Sequence, residues 1–421
     1  MFHERDIPVQ VAIGNYDLGI CGSDWLEELL VRYPSSALIK VGSLGYGQST
    51  LYVVTSLPEG ISNIGVVRQR PGVVRIASEY PNLAEHFALS QRLRRFGIFP
   101  LWGAAEAYPP ESADLALVCG TLEGLAECGL APLTRVLNVS ACLIANRNSW
   151  QAKDMKRIVA SIYDKKAARE EAGLGIGQVS SQPKGKAGLF YSTDGDLVRL
   201  ALPDGHQQLP TLELLSRAGI GLDDYPSPSG NRRPSTDLPG IAIKVIRPQD
   251  MPLQVASGNF DLAITGRDWL YEHLYQFPTS PVKELLDLRS GRVKIVAVVS
   301  QDVPVANASE LRKFNAEGKE PLRVASEYIN IADKYARDNH LGRYRVVPTW
   351  GATEAFLPED ADLLIENTET GWTIARHNLK IIDILFESTA CLIGSGRRVT
   401  SAKRDRIGFI IQALQRGVKL N

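Results

Sequence analysis

At 421 residues the chain is long for a single hydrophobic core, so two or more domains are expected. Its 47 basic and 47 acidic residues cancel, which removes the broad basic footprint of a nucleic-acid binder or of a protein drawn to an acidic membrane surface. With 44% apolar and 22% charged residues, no apolar run long enough to span a bilayer and no export signal, the expectation is a globular enzyme in the cytoplasm.

In chain order the sequence reads as one unit written twice. "RDIPVQVAIGNYDLGICGSDWLEELL" from Arg5 returns as "QDMPLQVASGNFDLAITGRDWLYEHL" from Gln249, keeping Pro8 with Pro252, Asp17 with Asp261 and Trp25 with Trp269. "RIASEYPNLAEHFA" from Arg75 returns from Arg323, "PLWGAAEAY" from Pro100 returns as "PTWGATEAF" from Pro348, and "SACLIA" from Ser140 as "TACLIG" from Thr389. Preserved order and spacing mean a tandem duplication of a unit of about two hundred residues, not a short solenoid repeat. From Trp150 the pattern is helical; from Ala172 a stretch rich in Gly, Ser, Gln and Lys reads as a linker. Copy two opens at Asp196 with a strand, a turn and an amphipathic helix for which copy one has no counterpart. The expected division is therefore 1–172 as a truncated copy, 173–195 as linker and 196–421 as a complete copy.

Within copy two, strands at "GIAIKVI", "FDLAIT", "LRVASE" and "ADLLIE" alternate with helices around Pro252, at "DWLYEHL", and up to about Asn339. Such alternation implies parallel sheets covered by helices, with binding loops at the carboxyl ends of strands. At one such end lies "IENTETGWTIARHNL", from Ile365. Hydroxyl-bearing residues around Gly371 read equally as a turn or as a cradle whose backbone N–H groups and hydroxyls hold a phosphate. The five cysteines, Cys21, Cys119, Cys128, Cys142 and Cys391, lack paired spacing and read as buried thiols; the six histidines form no ligand cluster.

Taken in order, "VRLALP", "RPQDMPLQVASGNFDLAITGRDW", "RVASEYINIA", "GATEA" and "ENTETGWTIARHNL" resemble the catalytic chain of ATP phosphoribosyltransferase in its short form. The resemblance implies an α/β, periplasmic-binding-protein-like (type II) unit of two lobes, duplicated in tandem, with substrates between the lobes. It implies transfer of phosphoribosyl from phosphoribosyl pyrophosphate to N1 of ATP, opening histidine biosynthesis, with Mg²⁺ on the pyrophosphate, a homo-oligomer and a regulatory partner chain. The phosphoribosyl-pyrophosphate loop falls on Glu366, Glu369, Thr370, Gly371, Trp372 and Thr373, with Glu366 at the ribose hydroxyls and Thr370, Gly371 and Thr373 at the 5-phosphate. Asp268, Tyr328 and Glu354 fall at the nucleotide; their plainer readings are an N-cap, a core aromatic and a solvated acid. Arg232, Arg233 and Arg247, with Arg267 and Arg376, are phosphate partners or surface charges.

Two departures from the family stand out. The first turn reads Pro203, Asp204, Gly205, His206 where the family has cations; a carboxylate left alone there would repel a polyanion, so either Arg232 and Arg233 answer it, Mg²⁺ binds there, or catalysis is weak. In copy one the loop is "VCGTLEGLAEC", read with Cys119 in place of the acid, Ala126 in place of the last threonine, and Thr121 and Gly124 retained. Copy one is then a degenerate half. The competing functions are a non-catalytic regulatory or nucleotide-binding paralogue and a solute-binding protein.

Overall fold

The computed structural model describes residues 2–57, 61, 63–171, 196–318 and 320–419; the expected linker, 173–195, lies outside the described residues. The chain divides into two compact units: His3–Ala187 with Ser229–Asn231, and Gly188–Pro228 and Arg232–Asn421 with Met1–Phe2.

The N-terminal unit carries strands β1 (Leu18–Gly22), β2 (Leu38–Ser43), β3 (Ser49–Ser56), β4 (Val74–Ser78), β5 (Phe96–Pro100), β6 (Leu115–Gly120), β7 (Leu130–Val139) and β8 (Ala141–Asn146). They form two sheets, β1-β8-β2 and β5-β4-β6-β3-β7. The chain passes from the first sheet to the second after β2 and returns between β7 and β8. Two lobes joined by a double crossing result.

The C-terminal unit repeats this and adds to it. Its strands are β9 (Val198–Pro203), a short ribbon of β10 (Leu222–Asp223) and β11 (Ser235–Thr236), β12 (Ile241–Ile246), β13 (Leu262–Gly266), β14 (Val282–Asp287), β15 (Val293–Ser300), β16 (Leu322–Ser326), β17 (Tyr344–Pro348), β18 (Leu363–Thr368), β19 (Leu379–Ser388) and β20 (Ala390–Ser395). One sheet is β12-β9-β13-β20-β14, the other β17-β16-β18-β15-β19. The second matches β5-β4-β6-β3-β7 strand for strand, with register shifts at the same places, between Leu51 and Tyr52 and between Ile295 and Val296. In the first, β13-β20-β14 matches β1-β8-β2, while β9 and β12 have no equivalent among the described residues of the N-terminal unit. This two-lobed, periplasmic-binding-protein-like α/β unit is the fold expected from the sequence.

The sheets are mixed, however, where parallel ones were expected. β15 runs antiparallel to both β18 and β19, and β20 antiparallel to both β13 and β14. The reason is the crossing: strands that leave or re-enter a lobe run against those built within it. The central strand β15 is a nearly unbroken apolar run, and Ile295 to Val299 are all at 0% exposure, as befits a strand with neighbours on both edges and cover on both faces. The stretch from Trp150 is two helices, Arg147–Ala152 and Lys156–Glu171, because Lys153 turns extended and pairs with Asp17, its Nζ 2.8 Å from Oδ2.

Each unit ties its lobes together in the same way. The helix Arg267–Gln276 follows β13, and its Glu272 accepts from the backbone N–H of Asn330 (2.8 Å) and Ile331 (2.9 Å) at the start of the helix Ile329–Asp338 in the other lobe. Glu28 does the same for Asn82 and Leu83 in the N-terminal unit. A carboxylate from one lobe thus satisfies otherwise unpaired helix-start donors of the other. No described helix is long and apolar enough to cross a membrane.

Candidate functional site

A cavity of about 420 Å³ lies in the C-terminal unit at the carboxyl ends of β9 and β18. Its polar lining is His206, Glu327, Glu354, Glu366, Asn367, Thr368, Glu369, Thr370 and Thr373. Four of the predicted loop residues, Glu366, Glu369, Thr370 and Thr373, therefore meet in one place with Glu354. Gly371 shapes the loop without lining the cavity: its φ of +75° is left-handed and starts the short helix Trp372–Arg376. Trp372 points away, 72% exposed. The loop is braced by its own hydroxyls, Thr368 Oγ1 accepting from Gly371 N–H at 2.9 Å and Thr370 Oγ1 from Trp372 N–H at 3.4 Å.

Glu354 is brought in by a strained turn. Ala352 sits at φ +49°, unusual for a residue with a Cβ, and its counterpart Ala104 repeats this at +60°. Glu366 feels the result. Burial pushes its carboxyl up to about 7, against the pull of the Asn367 N–H and the Thr353 hydroxyl, and the Glu354 charge adds to the rise.

Asp268 and Tyr328 lie beneath this cavity and are not part of its lining. They are 5% and 1% exposed, and the Tyr328 hydroxyl donates to Asp268 Oδ2 at 2.7 Å. Burial first, then the Asp268 charge, raises the phenol well above its ordinary value. Trp269 packs on Tyr328 with ring centroids 4.4 Å apart.

In the first turn Asp204 is answered by Arg232, one of the alternatives read from the sequence, and by Arg247, which was not among them. Arg232 Nη1 donates to the Asp204 Oδ2 at 2.9 Å, and Arg247 Nε lies 3.4 Å from the same oxygen. The Asp204 side chain is 8% exposed, so an acid in this turn is answered by two guanidinium groups that the fold brings from just after β12 and from the loop between β10 and β11. Arg232 and Arg247 are thereby engaged, and Arg233 also has a partner. Arg267 bonds Glu284 and Asp287 (2.7 and 3.2 Å), and Arg376 is exposed beyond the loop.

Copy one also differs from its reading. Thr50 pairs with Gly120 as Lys294 pairs with Thr368, so Val118 corresponds to Glu366 and Cys119 to Asn367. Leu130 corresponds to Leu379 by the same logic. Ten positions separate Gly120 from Leu130 against eleven from Thr368 to Leu379; the loop is one residue shorter, and Gly124, not Ala126, stands opposite Thr373. Thr121 caps its own helix, accepting from Gly124 N–H. Sequence reasoning had not placed Glu327 at the site; His206 was read only as a departure in the first turn, and Asn367 and Thr368 lay within the expected loop without a role of their own.

A family model described as ATP phosphoribosyltransferase matches residues 3–165 and 247–416. The chain belongs to the ATP phosphoribosyltransferase family. The ATP phosphoribosyltransferase of Saccharolobus solfataricus is 33% identical over 229 residues, 52% of this chain and 71% of that one. That of Prosthecochloris aestuarii is 32% identical over 230 residues, 53% and 72%. Among solved structures, the ATP phosphoribosyl transferase (HisG:HisZ) complex from Thermotoga maritima aligns over 53% of this chain and 100% of that one, at 20% identity and a TM-score of 0.43. As an ATP phosphoribosyltransferase the chain transfers phosphoribosyl to N1 of ATP, the first step of histidine biosynthesis; the non-catalytic alternative is not favoured. The family match omits β9, β12 and the turn after β9 that carries Asp204 and His206.

Proposed function

We propose that the cavity of copy two is where this transfer takes place, with the loop from Glu366 to Thr373 holding phosphoribosyl pyrophosphate. Glu366 accepts from the ribose hydroxyls; Thr370, Thr373 and the backbone at Gly371 hold the 5-phosphate. Glu354 faces the nucleotide, and Asp268 with Tyr328 supports it from below. Arg232 and Arg247, which share Asp204, stand near the leaving pyrophosphate, with Arg233 next to Arg232 in the chain. The observation that carries this reading is the convergence of Glu354, Glu366, Glu369, Thr370 and Thr373 on one cavity. Holding two polyanions in reacting geometry, with charge placed for the departing pyrophosphate, is the main physical demand of the reaction.

Among the described residues no group of three or more His, Cys, Asp or Glu is placed to hold a metal by itself. The four glutamates of the lining nevertheless suit Mg²⁺ shared with substrate, since that ion takes one or two carboxylates and completes its shell with phosphate oxygens and water. Glu354 and Glu366 would be its protein partners. Bound to the pyrophosphate, Mg²⁺ would neutralise charge that develops on the leaving group.

The remaining proposals concern the whole chain: a degenerate first copy over 1–172, a linker over 173–195, a complete copy over 196–421, a cytoplasmic location, a homo-oligomer and a regulatory partner chain. The test is direct. Incubated with ATP, phosphoribosyl pyrophosphate and Mg²⁺, the protein should generate the ultraviolet absorbance of phosphoribosyl-ATP, and Thr373→Ala should abolish binding of phosphoribosyl pyrophosphate. Activity unchanged in Thr373→Ala would move the site elsewhere.

A further inference from the structure

Asn367 is exposed at the cavity wall, next to Glu366 near the end of β18. Its Nδ2 donates to the Tyr328 hydroxyl at 3.0 Å. Tyr328 spends its single proton on Asp268 Oδ2, and the other carboxylate oxygen, Oδ1, accepts from the Ser388 hydroxyl at 2.7 Å. The Ser388 oxygen in turn accepts from the Asp268 N–H at 3.0 Å. Every link in this buried chain has one allowed direction. A phenol whose proton is committed can only accept, and of the two ends of a carboxamide only the NH₂ can donate to it. The Asn367 side chain therefore cannot turn over without placing two acceptors against each other. Its Oδ1 bonds to nothing among the described residues.

We propose that Asn367 is a specificity-determining residue of this cleft: its carboxamide oxygen is held as an acceptor for a hydrogen-bond donor on the substrate, an exocyclic amine or a ribose hydroxyl. The inference rests on the assignment of this cavity as the substrate site. Copy one shows the same arrangement with the reader removed. Tyr80 still donates to Asp24 Oδ2 at 2.6 Å, but Asn367 is replaced by Cys119, whose Sγ lies 3.7 Å from the Tyr80 hydroxyl. A thiol in that place offers only a weak acceptor.

The full chain and its Asn367→Leu and Tyr328→Phe variants would be titrated calorimetrically with adenosine monophosphate, inosine monophosphate and Mg²⁺–phosphoribosyl pyrophosphate. Inosine monophosphate carries a carbonyl where adenosine monophosphate carries the amine. If the amine is read, wild type prefers adenosine monophosphate by about tenfold and Asn367→Leu removes most of that preference without changing phosphoribosyl-pyrophosphate affinity. If a sugar hydroxyl is read, Asn367→Leu weakens phosphoribosyl pyrophosphate by about tenfold and leaves the base preference alone. Tyr328→Phe, which unlocks the carboxamide but keeps the ring, should show the same selective loss to a smaller degree. Equal weakening of all three probes, or changes below about twofold in all of them for a folded Asn367→Leu, overturns the inference. If wild type binds none of the probes, the assignment of the cavity fails and the inference falls with it.

Discussion

Glu366 is held near neutrality by burial and by the neighbouring Glu354 charge, about 7 against an ordinary 4.5. A carboxyl raised on folding favours the protonated native state, so its contribution to stability is full below pH 4.5 and is lost as pH rises through 7. Glu366→Gln, neutral throughout, should flatten the melting temperature across that window and leave the variant more stable than wild type at pH 8. Parallel melting profiles for the two proteins would refute this. Asp204 makes the opposite kind of case. Arg232→Ala takes one of two guanidiniums from a nearly buried carboxylate and should cost about 2 kcal/mol in chemical denaturation, with Asp204→Asn milder because it removes the charge that needs an answer. The acid was plain in the sequence, and Arg232 was one of the answers read for it; the part played by Arg247, 43 residues away, was not, because only the pairing of β9 with β12 brings it to Asp204.

The elements were legible where their pattern is local. Strands β9, β12, β13, β16 and β18 and the helices after them follow from apolar runs and their punctuation. Strand direction was not, because β15, β19 and β20 take theirs from the crossings between lobes. The loop of copy one was misread because a one-residue deletion hides in a stretch without regular periodicity; only the flanking registers reveal that Val118 stands for Glu366. Those registers also set Val139 opposite Ser49 as Ser388 is opposite Val293. Copy one thus lacks the serine hydroxyl, and Asp24 Oδ1 is buried with no partner. Asp268 keeps both oxygens bonded. Asp268→Ala should accordingly destabilise the protein by about 1–2 kcal/mol more than Asp24→Ala, measured by denaturant midpoints; equal costs would mean that the Ser388 bond contributes nothing.

At the scale of the molecule, two copies of one fold have diverged in what they retain. Both keep the glutamate that caps a helix of the other lobe, the tyrosine–aspartate bond and the left-handed alanine, which are parts of the frame. Among the described residues only copy two has an acid at the position of Glu366, the full loop, and strands β9 and β12 with the turn that follows β9. Binding of phosphoribosyl pyrophosphate should therefore fall sharply in Thr370→Ala and be unchanged in Thr121→Ala, and equal losses in the two would contradict the division. The indole at the crest of the loop has a practical consequence. Trp25 and Trp269 are shielded from water against tyrosine rings, whereas Trp372 stands in solvent. Any ligand that draws the loop inward would shift that one fluorophore's emission to the blue, giving the intact chain a label-free optical gauge of occupancy at one copy and not the other.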